Sequence, residues 1–224
     1  MTRILLLGGT HEARKLATEL ASQGHDVTTS LAGRTKEPIP LDGTVRIGGF
    51  GGVENMVQWM SEHKIEKLID ATHPFATKIS ANAKIAANMA NIPLERNTRR
   101  PWQKTSEDHW IDAVNIEEAC NLIPKGARVL LALGSQHISS FSTRTDVFFL
   151  IRMIDKPKTP LPFENYALHL GRPSSNWKLE AEILKEYAIT HIVCRNSGGK
   201  AAYAKIEAAR NLCLPVIIIS QPES

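Results

Sequence analysis

Arg3-Ile4-Leu5-Leu6-Leu7-Gly8-Gly9-Thr10-His11-Glu12-Ala13-Arg14 opens on a short β-prone run, turns on two glycines and enters a helix. Behind the turn Ala13, Leu16, Ala17 and Leu20 recur at i, i+3, i+4 and i+7, the spacing of a helix with one apolar face, and Gly24 ends it. Residues 27–30 then read as a second strand. Strand, glycine turn, helix, strand is the unit from which parallel sheets are built.

The same rhythm runs on. A short strand is expected at residues 45–47, a helix at 53–63, a strand at 67–70, a helix opened by Pro74 and a strand at 92–95. Residues 96–103, with Pro101 among them, break the pattern and read as a connection between lobes. A second series follows, with a helix at 116–123, strands at 128–133 and 147–153, an irregular Pro-containing stretch at 156–162, a helix face on Leu179, Ile183, Leu184 and Tyr187, a strand at 189–194, a helix face on Ala202, Ile206, Ala209 and Cys213, and a last strand at 215–219. The fold class expected is α/β: two Rossmann-like three-layer lobes with mainly parallel sheets and a cleft between them, divided into residues 1–98 and 99–224.

Composition narrows the function. The chain has 224 residues, 42% hydrophobic and 22% charged, which suits a globular protein with a sizeable core. No apolar run approaches the roughly 20 residues that span a bilayer, and the first apolar stretch passes straight into Gly8-Gly9, so no membrane segment or signal peptide is expected. Cys120, Cys194 and Cys213 are odd in number and lack Cys-x-x-Cys spacing, which argues against a disulfide framework and against a metal site and points to the cytoplasm. The 27 Lys and Arg against 23 Asp and Glu give +4, a mild excess suited to an anionic small molecule. A nucleic-acid partner is not expected, since the only basic and aromatic run, Arg96, Arg99, Arg100 and Trp102, reads as solvated arginines.

Gly8, Gly9 and Thr10 lie where glycine lets a phosphate approach the backbone and the helix start supplies N–H donors. The full G-x-G-x-x-G is absent, and a glycine pair after a strand is also a plain tight turn. At the end of the second strand, where NAD-binding folds place a carboxylate for the ribose 2′-hydroxyl, the chain has Ser30-Leu31-Ala32-Gly33-Arg34-Thr35. Ser30, Arg34 and Thr35 can donate to a 2′-phosphate, so NADP(H) is favoured over NAD(H); Arg34 as a solvated loop charge is the plainer alternative. Gly48-Gly49-Phe50-Gly51-Gly52, four glycines in five residues, reads as a second wall of the cofactor site, with Gly49, Phe50, Gly51 and Gly52 as contacts.

Asp70-Ala71-Thr72-His73-Pro74-Phe75 falls at the carboxyl end of the fourth strand, where Thr72 and His73 face the cleft. His73 is the candidate general acid; a His before a helix-opening Pro also caps or packs. In the second lobe Gly134-Ser135 and Asn196-Ser197-Gly198-Gly199-Lys200 each follow a strand and are candidate anion cradles. The latter is no P-loop, since Cys194 stands where the first Gly belongs. Tyr-x-x-x-Lys, Gly-x-Ser-x-Gly and His-Glu-x-x-His are all absent.

Taken together these stretches resemble the precorrin-6A and cobalt-precorrin-6A reductase family. The resemblance is carried by Leu7-Gly8-Gly9-Thr10 with Glu12-Ala13-Arg14, by Ser30 to Thr35, Gly48 to Gly52 and Asp70 to Ala76, by Arg100-Pro101-Trp102, and by Asn196-Ser197-Gly198-Gly199 followed by Lys205 and Ala208-Ala209-Arg210. It implies that residues 1–98 bind NADP(H), with Glu12 among the cofactor contacts, and that 99–224 complete a substrate cleft. The substrate it implies is an anionic corrinoid precursor, precorrin-6A or its cobalt form, bound by Gly134, Ser135, Asn196, Ser197, Gly198, Gly199 and Lys205. The reaction it implies is hydride transfer to a macrocycle double bond, with the proton coming from His73, solvent or the substrate itself.

Two departures stand out. Gln221-Pro222 replaces an Arg-Pro common in the family, and Arg195 stands where Lys is usual; residues 157–177 match poorly. The alternative from another class is a non-catalytic NADP(H)-sensing regulator, which would not need the glycine and serine turns of the second lobe. A small-molecule alcohol dehydrogenase is disfavoured by the missing Tyr-x-x-x-Lys and metal-ligand clusters.

Overall fold

The computed structural model describes residues 1–33, 42–134 and 137–222, so that Arg34, Thr35 and Ser135 lie outside the described residues. The chain divides into two compact units, Met1–Arg99 and a second beginning at Arg100.

The first unit runs β1 (Arg3–Leu7), α1 (His11–Ser22), β2 (Asp26–Leu31), β3 (Thr44–Ile47), α2 (Val53–Glu62), β4 (Lys67–Asp70), α3 (Thr77–Ala90) and β5 (Leu94–Arg96). The strands lie in the order β3-β2-β1-β4-β5, all parallel. β1 is central because alternate side chains serve two cores. Ile4 and Leu6 pack with Ala13, Ala17, Val27 and Ile69, while Leu5 and Leu7 pack with Met56, Met60, Leu68, Ala83 and Ala86. Each of the buried Ile, Leu, Val and Met side chains among these contributes about 1.5–3 kcal/mol. The sheet therefore carries α1 on one face and α2 and α3 on the other.

The second unit runs β6 (Trp110–Ala113), α4 (Ile116–Asn121), β7 (Arg128–Ala132), a 3₁₀ turn at Ser139–Phe141, β8 (Phe148–Met153), β9 (Tyr166–Leu170), α5 (Trp177–Glu186), β10 (His191–Arg195), α6 (Ala204–Asn211) and β11 (Val216–Ile219). Its sheet is also parallel throughout, in the order β6-β11-β10-β7-β8-β9. Leu130, Leu150, Ile192, Cys194, Val216 and Ile218 form the inner face against Ala181 and Leu184 of α5 and Ile206 and Ala209 of α6. The α/β, parallel, Rossmann-like class read from the sequence is thus the observed one.

Several local expectations are corrected. The helix expected to open at Pro74 starts at Thr77, because His73 to Ala76 form a separate turn in which the Ala76 N–H donates to the His73 carbonyl at 2.7 Å. Ile189, read as the start of a strand, instead closes α5: its N–H donates to the Leu184 carbonyl at 2.8 Å. The last helix stops at Asn211, and Cys213 turns left-handed at φ 52°. β6 and β9, both edge strands, had no counterpart in the sequence reading.

The start of the second unit's first strand is tied to α6 as well as paired with β11. Asp108, just before β6, is buried and accepts from Arg210 Nε at 3.0 Å and Nη2 at 3.2 Å, and from the Thr105 N–H and Oγ1 at 2.8 Å each. Burial by itself would raise its pKa, but the bonds from Arg210 and Thr105 outweigh it and hold the carboxyl below its ordinary value. A depressed folded-state pKa means that the stabilisation is fully present above the unfolded value near 4 and is lost as pH falls through the folded one. Asp108→Asn is therefore expected to be roughly 1–3 kcal/mol less stable than the parent at pH 7. The gap should shrink steadily below about pH 4 in urea titrations; a gap that persists at pH 2 would show that the charge is not the source.

Candidate functional site

In the first unit the strand order reverses between β1 and β4, and open α/β sheets bind ligands beside the carboxyl ends of the strands at such a point. The β1–α1 turn lies there. Gly8 sits so close to β2 that a Cβ on it would meet Thr29 Cγ2 at 2.9 Å, and its N–H donates to the Ser30 carbonyl at 2.9 Å. Gly9 has φ +106°, a conformation L side chains avoid, and a Cβ built on it meets nothing within 4 Å among the described residues. The backbone is thus bared toward open space directly ahead of α1.

Thr10 caps α1: its Oγ1 accepts from the Ala13 N–H at 3.0 Å and donates to the Ala71 carbonyl at 3.1 Å, bridging the gap from β1 to the end of β4. Its one hydroxyl proton is therefore used in construction. The donors offered to a ligand are the backbone N–H groups of His11 and Glu12, which have no acceptor within the helix. Glu12 is paired with Arg99 at 2.7 Å. Arg99, expected to be solvated, is largely buried; burial lowers its pKa, and the Glu12 charge opposes that shift.

Arg46, at the register position beside Ser30, is a residue the sequence reading missed. Its Nη1 donates to the Gly48 carbonyl at 2.6 Å and reaches Ser30 Oγ at 3.4 Å, and its Nη2 donates to the Gly49 carbonyl at 2.9 Å. Its guanidinium lies 3.8 Å from the centre of the Phe50 ring. Phe50 in turn is buried edge-on against Trp59, so it anchors the glycine loop in the core rather than displaying its ring. Gly51 and Gly52, both at positive φ, lead from it into α2. Ser30 is buried, and no carboxylate follows it up to Gly33.

At the end of β4, Asp70 is buried and accepts from the Thr72 N–H at 3.1 Å and Thr72 Oγ1 at 2.7 Å. His73 is half-buried. Its Nδ1 accepts from the Phe75 N–H at 3.3 Å, so the neutral ring carries its proton on Nε2. The turn holds the ring in place, 5.7 Å from the Phe75 ring, and because α3 begins beyond it His73 packs within the turn and does not cap that helix.

In the second unit the order reverses between β7 and β10, and Gly134 and Asn196 to Gly199 follow those two strands. Gly134 has φ +76°, and Gly198 and Gly199 are also left-handed, at 62° and 75°. Asn196 is not available to a ligand in the way its position suggested. Its Oδ1 accepts from the Trp102 N–H at 2.7 Å and its Nδ2 donates to the Trp102 carbonyl at 3.1 Å, clamping that backbone. Trp102 Nε1 donates to the Gly199 carbonyl at 2.9 Å. Ser197, the next residue, is buried.

Lys205, which the family resemblance places among the substrate contacts, is buried. Its Nζ donates to the Ala202 carbonyl at 2.6 Å and lies 4.8 Å from the Trp102 ring, and burial lowers its pKa. Above it Trp102, Gln103, Ser175, Gly199, Lys200, Tyr203, Ala204 and Glu207 line an open groove of about 570 Å³. The groove pairs aromatic walls with one cation, Lys200, and one carboxylate, Glu207, a combination that suits a flat ligand with polar edges. Among the described residues no cluster of three His, Cys, Asp or Glu could hold a metal ion, and no helix is long and apolar enough to cross a membrane.

A family model described as "Precorrin-6x reductase CbiJ/CobK" matches residues 3–224. The chain is 41% identical to a precorrin-6A reductase of Rhodobacter capsulatus over 223 residues, 99% of this chain and 89% of that one. It is 29% identical to a cobalt-precorrin-6A reductase of Priestia megaterium, covering 98% and 91% of the two chains. A solved structure described as CobK precorrin-6A reductase superposes with a TM-score of 0.96 at 41% identity, over 100% of this chain and 89% of that one.

Proposed function

Because the chain belongs to the precorrin-6x reductase family, we propose that it reduces a macrocycle double bond of precorrin-6A, or of its cobalt form, at the expense of NADPH in cobalamin biosynthesis. The product is then precorrin-6B or cobalt-precorrin-6B. The observation that carries the nicotinamide part of this reading is the bared Gly9 backbone ahead of α1, at the switch point of a parallel sheet.

The residues fit a dinucleotide. His11 and Glu12 N–H groups and the positive end of α1 suit a pyrophosphate. Ser30 and Arg34, with no carboxylate after β2 up to Gly33, suit a 2′-phosphate rather than a free 2′-hydroxyl. The Arg46 brace holds Gly48 and Gly49 so that the loop ahead of α2 keeps its shape. When bound, NADPH supplies the hydride. The protein's own task is to hold donor and acceptor in reach of one another and to keep water out. His73, with its proton on Nε2, is the protein's candidate for the accompanying proton. The +4 net charge and the groove beside Lys200 suit the carboxylate-bearing periphery of the macrocycle.

Purified protein is expected to consume NADPH in step with precorrin-6A or its cobalt form, followed by nicotinamide absorbance. No turnover with either would overturn the proposal. Arg34→Ala should weaken NADPH by roughly ten- to a hundredfold while NADH changes little, because only the former carries the phosphate that a guanidinium reads. Equal losses for the two cofactors would place the 2′-phosphate elsewhere.

A further inference from the structure

Beneath the groove of the second unit lies a charged cluster that the functional reading above does not use. Arg152, near the end of β8, is 6% exposed and Glu180 on α5 is 1% exposed. Arg152 Nη1 donates to Glu180 Oε2 at 2.7 Å, and the other carboxylate oxygen accepts from the Ser174 N–H at 2.8 Å. Both oxygens of Glu180 are thereby engaged. Arg152 is not so served: its Nε and Nη2 are buried and have no hydrogen-bond partner among the described residues. The large majority of buried polar groups in folded proteins are satisfied, and a charged guanidinium is costly to leave bare.

The bare atoms are the informative ones. Nε–H and one Nη2–H of a guanidinium point side by side and form the fork that grips the two oxygens of a carboxylate. Glu180 occupies the Nη1 side and leaves this fork open. Lys205 adds a second buried cation within electrostatic reach of both Arg152 and Glu180, so the trio has one positive charge in excess when all three are ionised. The cluster shares its walls with the groove. Ser174 bonds Glu180 while Ser175 lines the groove; Lys205 belongs to the cluster while Ala204 lines the groove; and Trp102 lines the groove while its ring stands over Lys205.

We propose that the Nε/Nη2 edge of Arg152 is a carboxylate-binding subsite beneath this groove, which takes one peripheral carboxylate of the ligand lying in it. The ligand's identity rests on the reductase reading, but the receptor chemistry does not. The fork atoms are shut off from solvent, so entry requires local movement; Ser174, bonded to Glu180, and Ser175, lining the groove, lie side by side in the chain.

The test uses the ligand-free protein labelled with ¹⁵N and titrated with sodium propionate, with sodium chloride at matched ionic strength as control. The Arg152 Nε–H resonance, assigned through its own side-chain carbons, is expected to shift saturably with propionate and little with chloride. Propionate should also raise the melting midpoint of the parent and not that of Arg152→Lys, which keeps the charge but loses the fork. An Nε–H signal unmoved by propionate, or equal protection of Arg152→Lys, overturns the subsite. With precorrin-6A and NADPH, Arg152→Lys should raise KM about tenfold, more than it lowers kcat. A parent enzyme that turns over while its Arg152 signal ignores propionate refutes the subsite alone. One that binds propionate at Arg152 but reduces neither macrocycle refutes the reductase reading alone.

Discussion

Glu180→Leu is expected to cost about 3–5 kcal/mol of stability, the range found when one partner of a buried ion pair is removed. For a chain of this length that corresponds to a fall in melting temperature on the order of 10 °C. The size follows from burial: with Glu180 gone, Arg152 keeps its charge in a place from which water is excluded, and the Ser174 N–H loses its acceptor. The double replacement Arg152→Met with Glu180→Leu should recover most of the loss, because it removes the stranded charge as well as the pair. Denaturant titrations of the two variants and the parent check both statements. A single variant within 1 kcal/mol of the parent would mean that the guanidinium finds water, and the burial described above would be wrong.

Gly9→Ala is expected to leave the fold intact and to weaken NADPH by about a hundredfold, near 2.7 kcal/mol. A Cβ at this position touches nothing among the described residues, so its cost to the free chain is the strain of φ +106°, about 1–3 kcal/mol. The same Cβ would stand in the space where a pyrophosphate must approach the bared backbone. Calorimetric titration with NADPH, read beside a melting curve, separates the two effects. Unchanged affinity in a folded variant would remove the pyrophosphate from this turn.

Much of this architecture was legible because the chain repeats one pattern. Arg3 to Leu7 announces a strand buried on both faces, and Ala13, Leu16, Ala17 and Leu20 announce the face of α1; the pairing of β1 with both β2 and β4 follows from the rules for parallel units. β6 and β9 escaped because edge strands carry little signal. Trp110–Ala113 is four residues long with one acidic member, and Tyr166–Leu170 is only partly buried and follows a stretch interrupted by prolines.

The candidate site was legible where backbone makes it and obscure where side chains do. Glycine turns show themselves in sequence, and Gly8, Gly9, Gly134, Gly198 and Gly199 all lie at carboxyl ends of strands beside a switch point. Asn196 and Lys205 were read as ligand contacts, yet both serve the protein itself, one clamping Trp102 and the other lying under its ring. Arg46 was passed over as an ordinary strand cation, since nothing in Thr44–Ile47 says that two glycine carbonyls lie in front of it. Arg152 was equally silent, because a lone Arg in a strand does not reveal whether its fork is filled.

The pairing of β6 with β11 fixes an order of events during synthesis. The first unit has all its strands once Arg96 has left the ribosome, and it can close while the rest is still being made. The second cannot. Asp108 waits for Arg210, 102 residues later, and Trp110 waits for Val216, so its leading strand stays without a neighbour until nearly the end of translation. An interruption of translation after α5 would therefore release a finished first unit joined to a sheet open along its middle, with Leu130 and the rest of β7 lacking the strand that covers their edge. Such nascent chains are the ones that chaperones and proteases should meet most often.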